Sequence, residues 1–521
     1  MIKDYSNTPG IFGIIQRNYK KYPNKMVVTI GKEHITYREL IDKGDRVAAA
    51  LYDMGVRKGD RVGILIPNKI NWYIFLYGIL RLGAIVVPFD PQMAEHEIKH
   101  LFDKVGIRAV LVPTEFRGIN HKKIIDGLRN LLPDLKKVIV DGEVEIDDFH
   151  SSFESLLASD KSSLEDMQLT MEKEDSNVFF CTTGSTGTPK IVDIPCRIID
   201  DNISKNSERW GFKEGDRFLL SMPLYHAAGF GWGLSCLSAG GSIYYENYFS
   251  PSTFLELTQK EDISSLLITP TLAKIILTHP QFDEYDLSSL KSIIFTGEYL
   301  ADELADKFVN EMNIRVINAL GMTETFVYLD WDSTRDKGIS PNKLGEIPEI
   351  EIKIVDSNGE ECKIGEKGNI HIKNSVMKGY FRLKEVTDEV LDEEGWLNSG
   401  DLAVRTEDGR VEFVGREKRI IKRGGNLVAP EEIEQFLRTH SLCAGVIVDK
   451  EEDLIMGEKI IAYFQMAEGA DISKEELRKF CKGRISAYKI PDEFYFLEEI
   501  PKTVGKANPT LLRKLREENK I

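Results

Sequence analysis

Apolar residues recur at two different spacings along the first half of the chain. Residues 36–55, TYRELIDKGDRVAAALYDMG, carry them at helical spacing and end in a glycine, which is typical of a helix C-cap. The next run, DRVGILIP, is short, apolar and closed by a proline, which predicts a buried strand. By the same criteria we expect helices at 72–83 and 94–106, and strands at 84–90 and 107–113.

Regular alternation of strands and helices predicts an α/β fold with a mostly parallel, doubly wound sheet. The alternation resumes after residue 210 and changes near residue 343 into short strands separated by turn residues. We therefore expect a large N-terminal domain of doubly wound subdomains, residues 1–417, whose last part, about 343–417, is a small β-rich subdomain. Residues 418–521 are expected to form a small, mobile α+β C-terminal domain after an exposed, charged linker.

Length, charge and cysteine content narrow the class of protein. A chain of 521 residues is too long for one compact core. Its net charge of −16 argues against binding to nucleic acid or to an anionic membrane. The six scattered cysteines form no C-x-x-C pair and the N-terminus lacks the apolar core of a signal peptide, so we expect a reducing, cytoplasmic location. The most apolar stretch, residues 72–89, contains Arg81, which favours a buried helix and strand over a membrane span.

The segment FFCTTGSTGTPKIVDI, residues 179–194, places glycines, hydroxyl side chains and a lysine between two apolar runs. Gly184 and Gly187 permit backbone conformations in which amide groups converge on one point, and Lys190 adds a positive charge. The segment is not an NTPase P-loop, because Pro189 precedes the lysine and Ile191 follows it. By itself it fits either a phosphate-binding loop or a plain surface loop.

Six further motifs follow in a fixed order: PLYHAAG (223–229), TGE (296–298), ALGMTET (319–325), SGD (399–401), GREKRIIKRGGNLVAPEEIE (415–434) and PKTVGKANPTLLRK (501–514). Together with the glycine-rich segment they resemble the adenylate-forming superfamily, which contains acyl- and aryl-CoA synthetases, firefly luciferase and the adenylation domains of peptide synthetases. The resemblance covers nearly the whole chain. It implies that a carboxylate attacks the α-phosphate of ATP to give an acyl-AMP, and that a thiol then displaces AMP.

The resemblance also implies roles for individual residues. Glu324 matches the Mg²⁺ ligand, Thr323 contacts phosphate, Asp401 binds the ribose hydroxyls, and Lys506 is the catalytic lysine that bridges the carboxylate and the α-phosphate. His226 is a further candidate catalytic residue. The residues matching nucleotide-binding positions are Thr182, Thr183, Gly184, Ser185, Thr186, Gly187, Thr188, Lys190, Gly297, Glu298, Asn318, Ala319, Leu320, Gly321, Met322, Asp401, Arg416 and Lys422.

Two catalytic states are implied by the same resemblance. Lys418 occupies the hinge position about which the C-terminal domain turns between the two half-reactions. In the second state Lys506 withdraws, and Gly424 and Gly425 leave room for the pantetheine arm of the thiol.

Three positions depart from the usual pattern of the superfamily. Leu320 replaces the aromatic residue that stacks on adenine. Ile191 and the pair Pro195-Cys196 replace a glycine and a Thr-His pair after the glycine-rich segment. Leu427 replaces a polar residue in the loop that follows Gly425.

The acyl pocket is expected behind PLYHAAG, with His226, Ala227, Phe230, Trp232 and Met322 as candidate lining residues. Enzymes for α-amino acids normally have an aspartate where this chain has Ala227. An unpaired ammonium group would be costly in a buried pocket, so we do not expect an α-amino acid. The apolar candidates Phe230, Trp232 and Met322 suit an aromatic or medium-chain aliphatic acid.

The acceptor thiol is left open by the sequence. We favour CoA, the commoner acceptor of freestanding members, over the phosphopantetheine of a carrier protein that acts in trans. A luciferase-like oxygenase and a nucleotide-binding pseudoenzyme are weaker alternatives, because Glu324, Asp401 and Lys506 are all present. The protein is expected to be a monomer or a homodimer.

Overall fold

A computed structural model describes residues 4–93, 95–182, 190–246, 250–416, 421–423, 426–428, 430–453, 456–467, 470, 472–482, 484–485, 489–503, 506–507 and 509–518. The chain divides into two compact units. The first contains the residues up to 351 and residues 372–397, and the second contains residues 352–371 and those from 398 onward. The boundary that we expect between residues 417 and 418 stays a prediction, and Lys418 lies outside the described residues.

The helices of the first unit are α1 (Gly10–Lys21), α2 (Tyr37–Asp53), α3 (Ile70–Arg81), α4 (Glu95–Val105), α5 (His121–Leu128), α6 (Phe153–Leu157), α7 (Cys196–Ile198), α8 (Lys205–Arg209), α9 (Ala227–Ser238), α10 (Pro251–Lys260), α11 (Pro270–Leu277), α12 (Asp302–Asp306) and α13 (Lys384–Asp388). A π-helical turn, Ile199–Ser204, connects α7 to α8.

The strands of the first unit are β1 (Met26–Ile30), β2 (Glu33–Thr36), β3 (Arg61–Ile64), β4 (Ile85–Pro88), β5 (Ile107–Pro113), β6 (Lys137–Asp141), β7 (His150–Ser152), β8 (Ser176–Thr182), β9 (Lys190–Pro195), β10 (Arg217–Leu220), β11 (Ser242–Tyr245), β12 (Ser265–Ile268), β13 (Ser292–Thr296), β14 (Arg315–Met322), β15 (Phe326–Asp332), β16 (Lys343–Glu346) and β19 (Gly379–Tyr380).

These strands form two sheets. In the first sheet the order is β16-β15-β14-β13-β12-β10-β11-β1-β2, and the pairs from β1 through β14 are parallel apart from the β1–β2 hairpin. In the second sheet the order is β19-β9-β8-β4-β3-β5-β6-β7, with parallel pairs from β8 to β7. Parallel neighbours require crossover connections, and the intervening helices supply them. The predicted mostly parallel α/β architecture is therefore confirmed.

The helix predicted at 36–55 is α2, and its first turn shows why it begins where it does. Thr36 accepts a hydrogen bond from the backbone N–H of Glu39, and the Glu39 side chain accepts one from the backbone N–H of Thr36. This reciprocal capping box satisfies two backbone donors that a helix end would leave unpaired. The apolar stretch at 72–89 forms part of α3 and then β4, with Arg81 buried, as predicted. Among the described residues, no helix is long and apolar enough to cross a membrane.

The second unit contains β17 (Glu351–Val355), β18 (Lys367–Lys373), β20 (Leu397–Arg405), β21 (Val411–Arg416), β22 (Ile421–Arg423), β23 (Asn426–Val428), α14 (Pro430–Arg438), β24 (Cys443–Asp453), β25 (Gly457–Met466), α15 (Lys474–Cys481), β26 (Glu493–Leu497), β27 (Lys502–Thr503), β28 (Lys506–Ala507) and α16 (Pro509–Glu517). Its strands are ordered β17-β18-β20-β21 and β23-β22-β25-β24, with β26 also on β25 and β27 paired with β28. The α+β part has an apolar core of its own that includes Leu437, Phe464 and Leu477.

A buried carboxylate on β15 is bonded to three side chains of the first unit. Asp330 has no exposed surface and accepts hydrogen bonds from Arg209 Nε at 3.0 Å, Trp210 Nε1 at 2.9 Å and Arg335 Nη2 at 2.7 Å. Charge-assisted hydrogen bonds of this kind offset the cost of burying the carboxylate. Asp330 thereby fixes β15 against the helix that precedes β10.

We expect Asp330→Ala to lower the free energy of unfolding by about 3 kcal/mol, because it leaves the guanidinium and indole donors without their acceptor. Urea denaturation followed by tryptophan fluorescence measures the change, since Trp210 belongs to the network. The matched control is Asp283→Ala, which removes an exposed carboxylate of the same unit. A loss of less than about 1 kcal/mol relative to that control, within the range of ordinary surface substitutions, would contradict this account of Asp330.

Candidate active site

The carboxyl ends of β13 and β14 bring together two predicted nucleotide-binding segments. The strands pair in parallel, with Thr296 opposite Ala319, and Thr296 Oγ1 donates a hydrogen bond to the Ala319 carbonyl at 3.0 Å. Gly297 therefore lies beside Leu320 at the same edge of the sheet. In open α/β sheets ligands bind at this edge, outside the carboxyl ends of the strands.

A tight turn between β14 and β15 carries Thr323 and Glu324. Two glycines allow this turn to pack closely. A Cβ on Gly321 would lie 2.3 Å from the Phe326 carbonyl oxygen, and a Cβ on Gly231 of α9 would lie 2.7 Å from the Phe326 ring. Asn202 is buried and hydrogen-bonded to the end of this turn. Its side-chain amide donates to the carbonyls of Thr325 at 3.0 Å and Val327 at 2.8 Å.

Glu324 is nearly buried and is held by residues of the other sheet. Tyr380 Oη donates a hydrogen bond to Glu324 Oε1 at 2.9 Å, and the backbone N–H of Met377 donates to the Glu324 carbonyl at 2.7 Å. Burial and the neighbouring Glu324 carboxylate raise the pKa of Tyr380 well above its usual value, so its hydroxyl keeps its proton. Tyr380 belongs to none of the sequence motifs that predict the site.

Lys190 reaches the same tyrosine from the end of the glycine-rich segment. Its Nζ lies 4.4 Å from the centroid of the Tyr380 ring, within the range of a cation–π contact. Strand pairing fixes both ends of the segment, with Thr182 opposite Lys190 and Tyr380 opposite Val192. Thr183, Gly184, Ser185, Thr186, Gly187 and Thr188 lie outside the described residues.

The oxygen atoms at the Glu324 turn suit a hard cation. A carboxylate and the neighbouring Thr323 hydroxyl are donors of the kind that Mg²⁺ prefers. In the described part of the chain, no group of three or more His, Cys, Asp or Glu side chains could hold a metal ion by itself. A cation at Glu324 would therefore take its remaining ligands from phosphate and water.

His226 is the residue immediately before α9. It is half-buried, its ring lies 4.8 Å from that of Tyr225, and its carbonyl accepts a hydrogen bond from Phe230 N. Burial, followed by the charge of Asp90, raises the pKa of Tyr225. Ala227 opens the helix, so no acidic side chain occupies the position next to His226.

The predicted acyl-pocket residues Phe230 and Trp232 are both buried among other aromatic side chains. Phe230 makes edge contacts with Trp72 and Phe180, and Trp232 stacks on Trp210 at 4.3 Å. The cavity beside Phe230 measures about 10 Å³, enough for no more than a water molecule. The assignment of Phe230 and Trp232 to the acyl pocket stays a prediction. Met322 lies at the end of β14, next to the Glu324 turn, and is half-buried.

Two other predicted residues make structural hydrogen bonds that the sequence did not indicate. The Glu298 carboxylate accepts from Thr271 N at 3.0 Å and Thr271 Oγ1 at 2.6 Å, which caps α11. The Asn318 amide donates to the Pro341 carbonyl at 2.8 Å. The side chain of Glu298 is thus directed to α11. Only the backbone of Glu298 is then available to the base of a bound nucleotide.

In the second unit, two of the predicted nucleotide-binding residues lie opposite each other. Asp401 on β20 pairs with Arg416 on β21, and Asp401 is buried. Lys506 lies on β28 opposite Thr503, and Lys422 lies on β22 opposite Leu427. The side chains of Arg416, Lys422 and Lys506, and the whole of Lys418, Gly424 and Gly425, lie outside the described residues, so their roles stay predictions.

Comparisons with known proteins identify the family to which the chain belongs. The family model described as AMP-binding enzyme matches residues 15–381, and the model described as AMP-binding enzyme C-terminal domain matches residues 432–506. The chain is 29% identical to the putative acyl-CoA synthetase YngI of Bacillus subtilis, over 96% of each chain. It is also 29% identical to the mitochondrial medium-chain acyl-CoA ligase ACSF2 of Homo sapiens, over 99% of this chain and 89% of that one.

A solved structure confirms the fold. The ATP-bound MatB of Rhodopseudomonas palustris superposes with a TM-score of 0.86 at 21% identity, covering 98% of this chain and 100% of that one. Because the first family model alone covers well over half of the sequence, the chain belongs to the AMP-binding enzyme family, the adenylate-forming superfamily that its motifs resemble.

Proposed function

We propose that this protein is an AMP-forming acid–CoA ligase for an apolar carboxylic acid. In the first step a carboxylate oxygen attacks the α-phosphorus of ATP, the bond to the β-phosphate breaks, and pyrophosphate leaves. In the second step the CoA sulfur attacks the acyl carbon of the acyl-AMP and AMP leaves with the electron pair. The contact chain Lys190–Tyr380–Glu324, at the edge where the nucleotide segments meet, carries the proposal.

The first unit supplies the groups that receive the triphosphate. Lys190, Thr323 and the glycine-rich segment bind phosphate, and Glu324 would hold Mg²⁺, which neutralises phosphate charge when bound. Carboxylate and triphosphate repel each other, so the site must place positive charge between them before they react. Because Glu324 is already held in position, its side chain needs little rearrangement when the carboxylate attacks the α-phosphate.

The second unit supplies the ribose contacts and the catalytic lysine. Paired on adjacent strands, Asp401 and Arg416 bind the ribose and the neighbouring phosphate. Lys506 bridges the carboxylate and the α-phosphate in the first half-reaction. The C-terminal domain, residues 418–521, then turns about Lys418 and brings Gly424 and Gly425 to the site for the thiol.

The acid is proposed to be a medium-chain aliphatic acid. The residue that follows His226 is Ala227, which cannot pair with an ammonium group, and α9 continues with small and apolar residues. The ACSF2 relatives are named medium-chain acyl-CoA ligases, which makes this the first class to test. We also propose a cytoplasmic location, because all six cysteines are free thiols.

ATP–pyrophosphate exchange across short, medium and long aliphatic acids and aromatic acids tests this function. We expect exchange to be fastest with a medium-chain acid, and the acyl-CoA to appear by mass spectrometry when CoA is added. Absence of exchange with every acid would overturn the adenylation step. Exchange without acyl-CoA, but with loading of a carrier protein, would overturn CoA as the acceptor.

Lys506→Ala provides the matched variant for that assay. We expect adenylation to fall by about 10²–10³-fold, because a positive charge on the reacting oxygens is lost. Thiolysis of supplied acyl-AMP should remain, since the lysine acts only in the first half-reaction.

Tyr380→Phe should raise the Mg²⁺ concentration needed for half-maximal exchange by about tenfold or more, because it removes the hydrogen bond that orients Glu324. Titration of the variant with Mn²⁺ in the presence of ATP, followed by electron paramagnetic resonance, gives a binding readout that does not depend on turnover. Tyr285→Phe is the control tyrosine of the same unit. Unchanged metal dependence with lowered thermal stability would show that Tyr380 serves packing alone.

A further inference from the structure

Tyr299 is a large aromatic side chain that remains 44% exposed directly after β13. Single exposed apolar residues are common on protein surfaces, so exposure alone indicates no role. The neighbours of Tyr299, however, are held firmly, and it directly follows Gly297 and Glu298, two of the predicted nucleotide-binding residues.

The backbone is anchored on both sides of this tyrosine. Glu298 is fixed by the two hydrogen bonds from Thr271. Leu300 is fully buried, and its carbonyl accepts a hydrogen bond from Asn342 Nδ2 at 2.9 Å. Tyr299 is therefore presented to solvent by a loop whose conformation is already determined, so ordering it on a ligand would cost little entropy.

The space next to this loop is open. Gly297 has a φ of 81°, and a Cβ built on it would meet no atom within 4 Å. Thr296 and Ala319 are the last registered pair of β13 and β14, so Gly297 and Leu320 each follow directly at the carboxyl ends of these strands. A flat ligand at this edge would therefore lie close in sequence to both Leu320 and Tyr299.

A second apolar side chain adjoins the loop. Ile275 is 43% exposed and follows Thr271 by one helical turn on α11, so both residues share a face of that helix. Since Glu298 bonds to Thr271, this face is directed to the loop. Ile275 is thus a second exposed apolar side chain, on the face of α11 that carries the bond to Glu298.

We propose that Tyr299 is a nucleotide-binding residue whose ring stacks on the adenine of ATP, in place of the aromatic residue that Leu320 does not provide. Bases stack on aromatic side chains through their π faces, whereas leucine offers only dispersion contact. The proposal rests on the proposed function, because it requires ATP to bind at the edge formed by β13 and β14.

Isothermal titration of the full chain with ATP and Mg²⁺ tests this proposal. Tyr299→Ala should weaken ATP binding by about tenfold, the usual effect of losing one base–aromatic contact, and Tyr299→Phe should retain wild-type affinity. Binding of tripolyphosphate, which has no base, should be the same in all three proteins. Leu131→Ala is the control. Leu131 is similarly exposed, at 51%, but it lies between α5 and β6, in the part of the unit that contains the second sheet.

A rescue variant distinguishes stacking from a general effect on the loop. In the Tyr299→Ala background, Leu320→Tyr should restore most of the lost ATP affinity by placing an aromatic ring on the neighbouring strand. The proposal would be overturned if Tyr299→Ala bound ATP within twofold of wild type. It would also be overturned if this variant lost as much affinity for tripolyphosphate as for ATP. Either result would leave the proposed function intact. Failure of the wild-type protein to bind ATP would overturn the proposed function itself, and this assignment with it.

Discussion

The hydrogen bond from Tyr380 to Glu324 joins the two sheets of the first unit at the point where their functional segments meet. Tyr380 belongs to the short strand beside β9 in one sheet, and Glu324 to the turn between β14 and β15 in the other. The backbone bond from Met377 to Glu324 reinforces the same junction. Lys190 lies over the tyrosine ring and extends the contact to the end of the glycine-rich segment, so Tyr380 links the proposed phosphate-binding segment to the proposed metal ligand.

Much of the fold could be predicted because local patterns and strand alternation determine it. The helix at 36–55, the buried helix and strand at 72–89, and the parallel sheets follow from apolar spacing and from turn residues. The glycine-rich segment illustrates the limit of local reasoning. Its composition allows a plain loop, and only the ordered motifs downstream identify it with adenylation, an identification that the family match supports.

The contacts that sequence analysis missed join residues far apart in the chain. Tyr380 and Glu324 are 56 residues apart, and Asn202 bonds to a turn more than 120 residues away. Neither contact leaves a periodic pattern, and a two-residue strand such as β19 has no apolar signature of its own. The aromatic residues of α9 show the converse limit. Composition predicts that Phe230 and Trp232 are apolar and buried, but only the packing shows that their neighbours are Trp72, Phe180 and Trp210.

At Leu320 the chain departs from the usual pattern of its superfamily. It nevertheless retains the charged residues that the superfamily pattern predicts, Glu324, Asp401 and Lys506. The departure becomes understandable if adenine finds its aromatic contact in the loop directly after β13, which presents Tyr299. The nucleotide would then be held by phosphate contacts in one sheet and by base contacts at the edge of the other. Glu324 lies at the junction between the two.

Oxygen tracing with an ¹⁸O-labelled carboxylic acid tests the central claim most directly, because it follows the bond that forms between acid and α-phosphate. When the labelled acid is incubated with the protein, ATP, Mg²⁺ and CoA, we predict that each AMP released with acyl-CoA carries one labelled oxygen, while pyrophosphate carries none. Unlabelled AMP, or formation of ADP with label in inorganic phosphate, would contradict an acyl-AMP intermediate and with it the account given for Glu324, Tyr380 and Lys190.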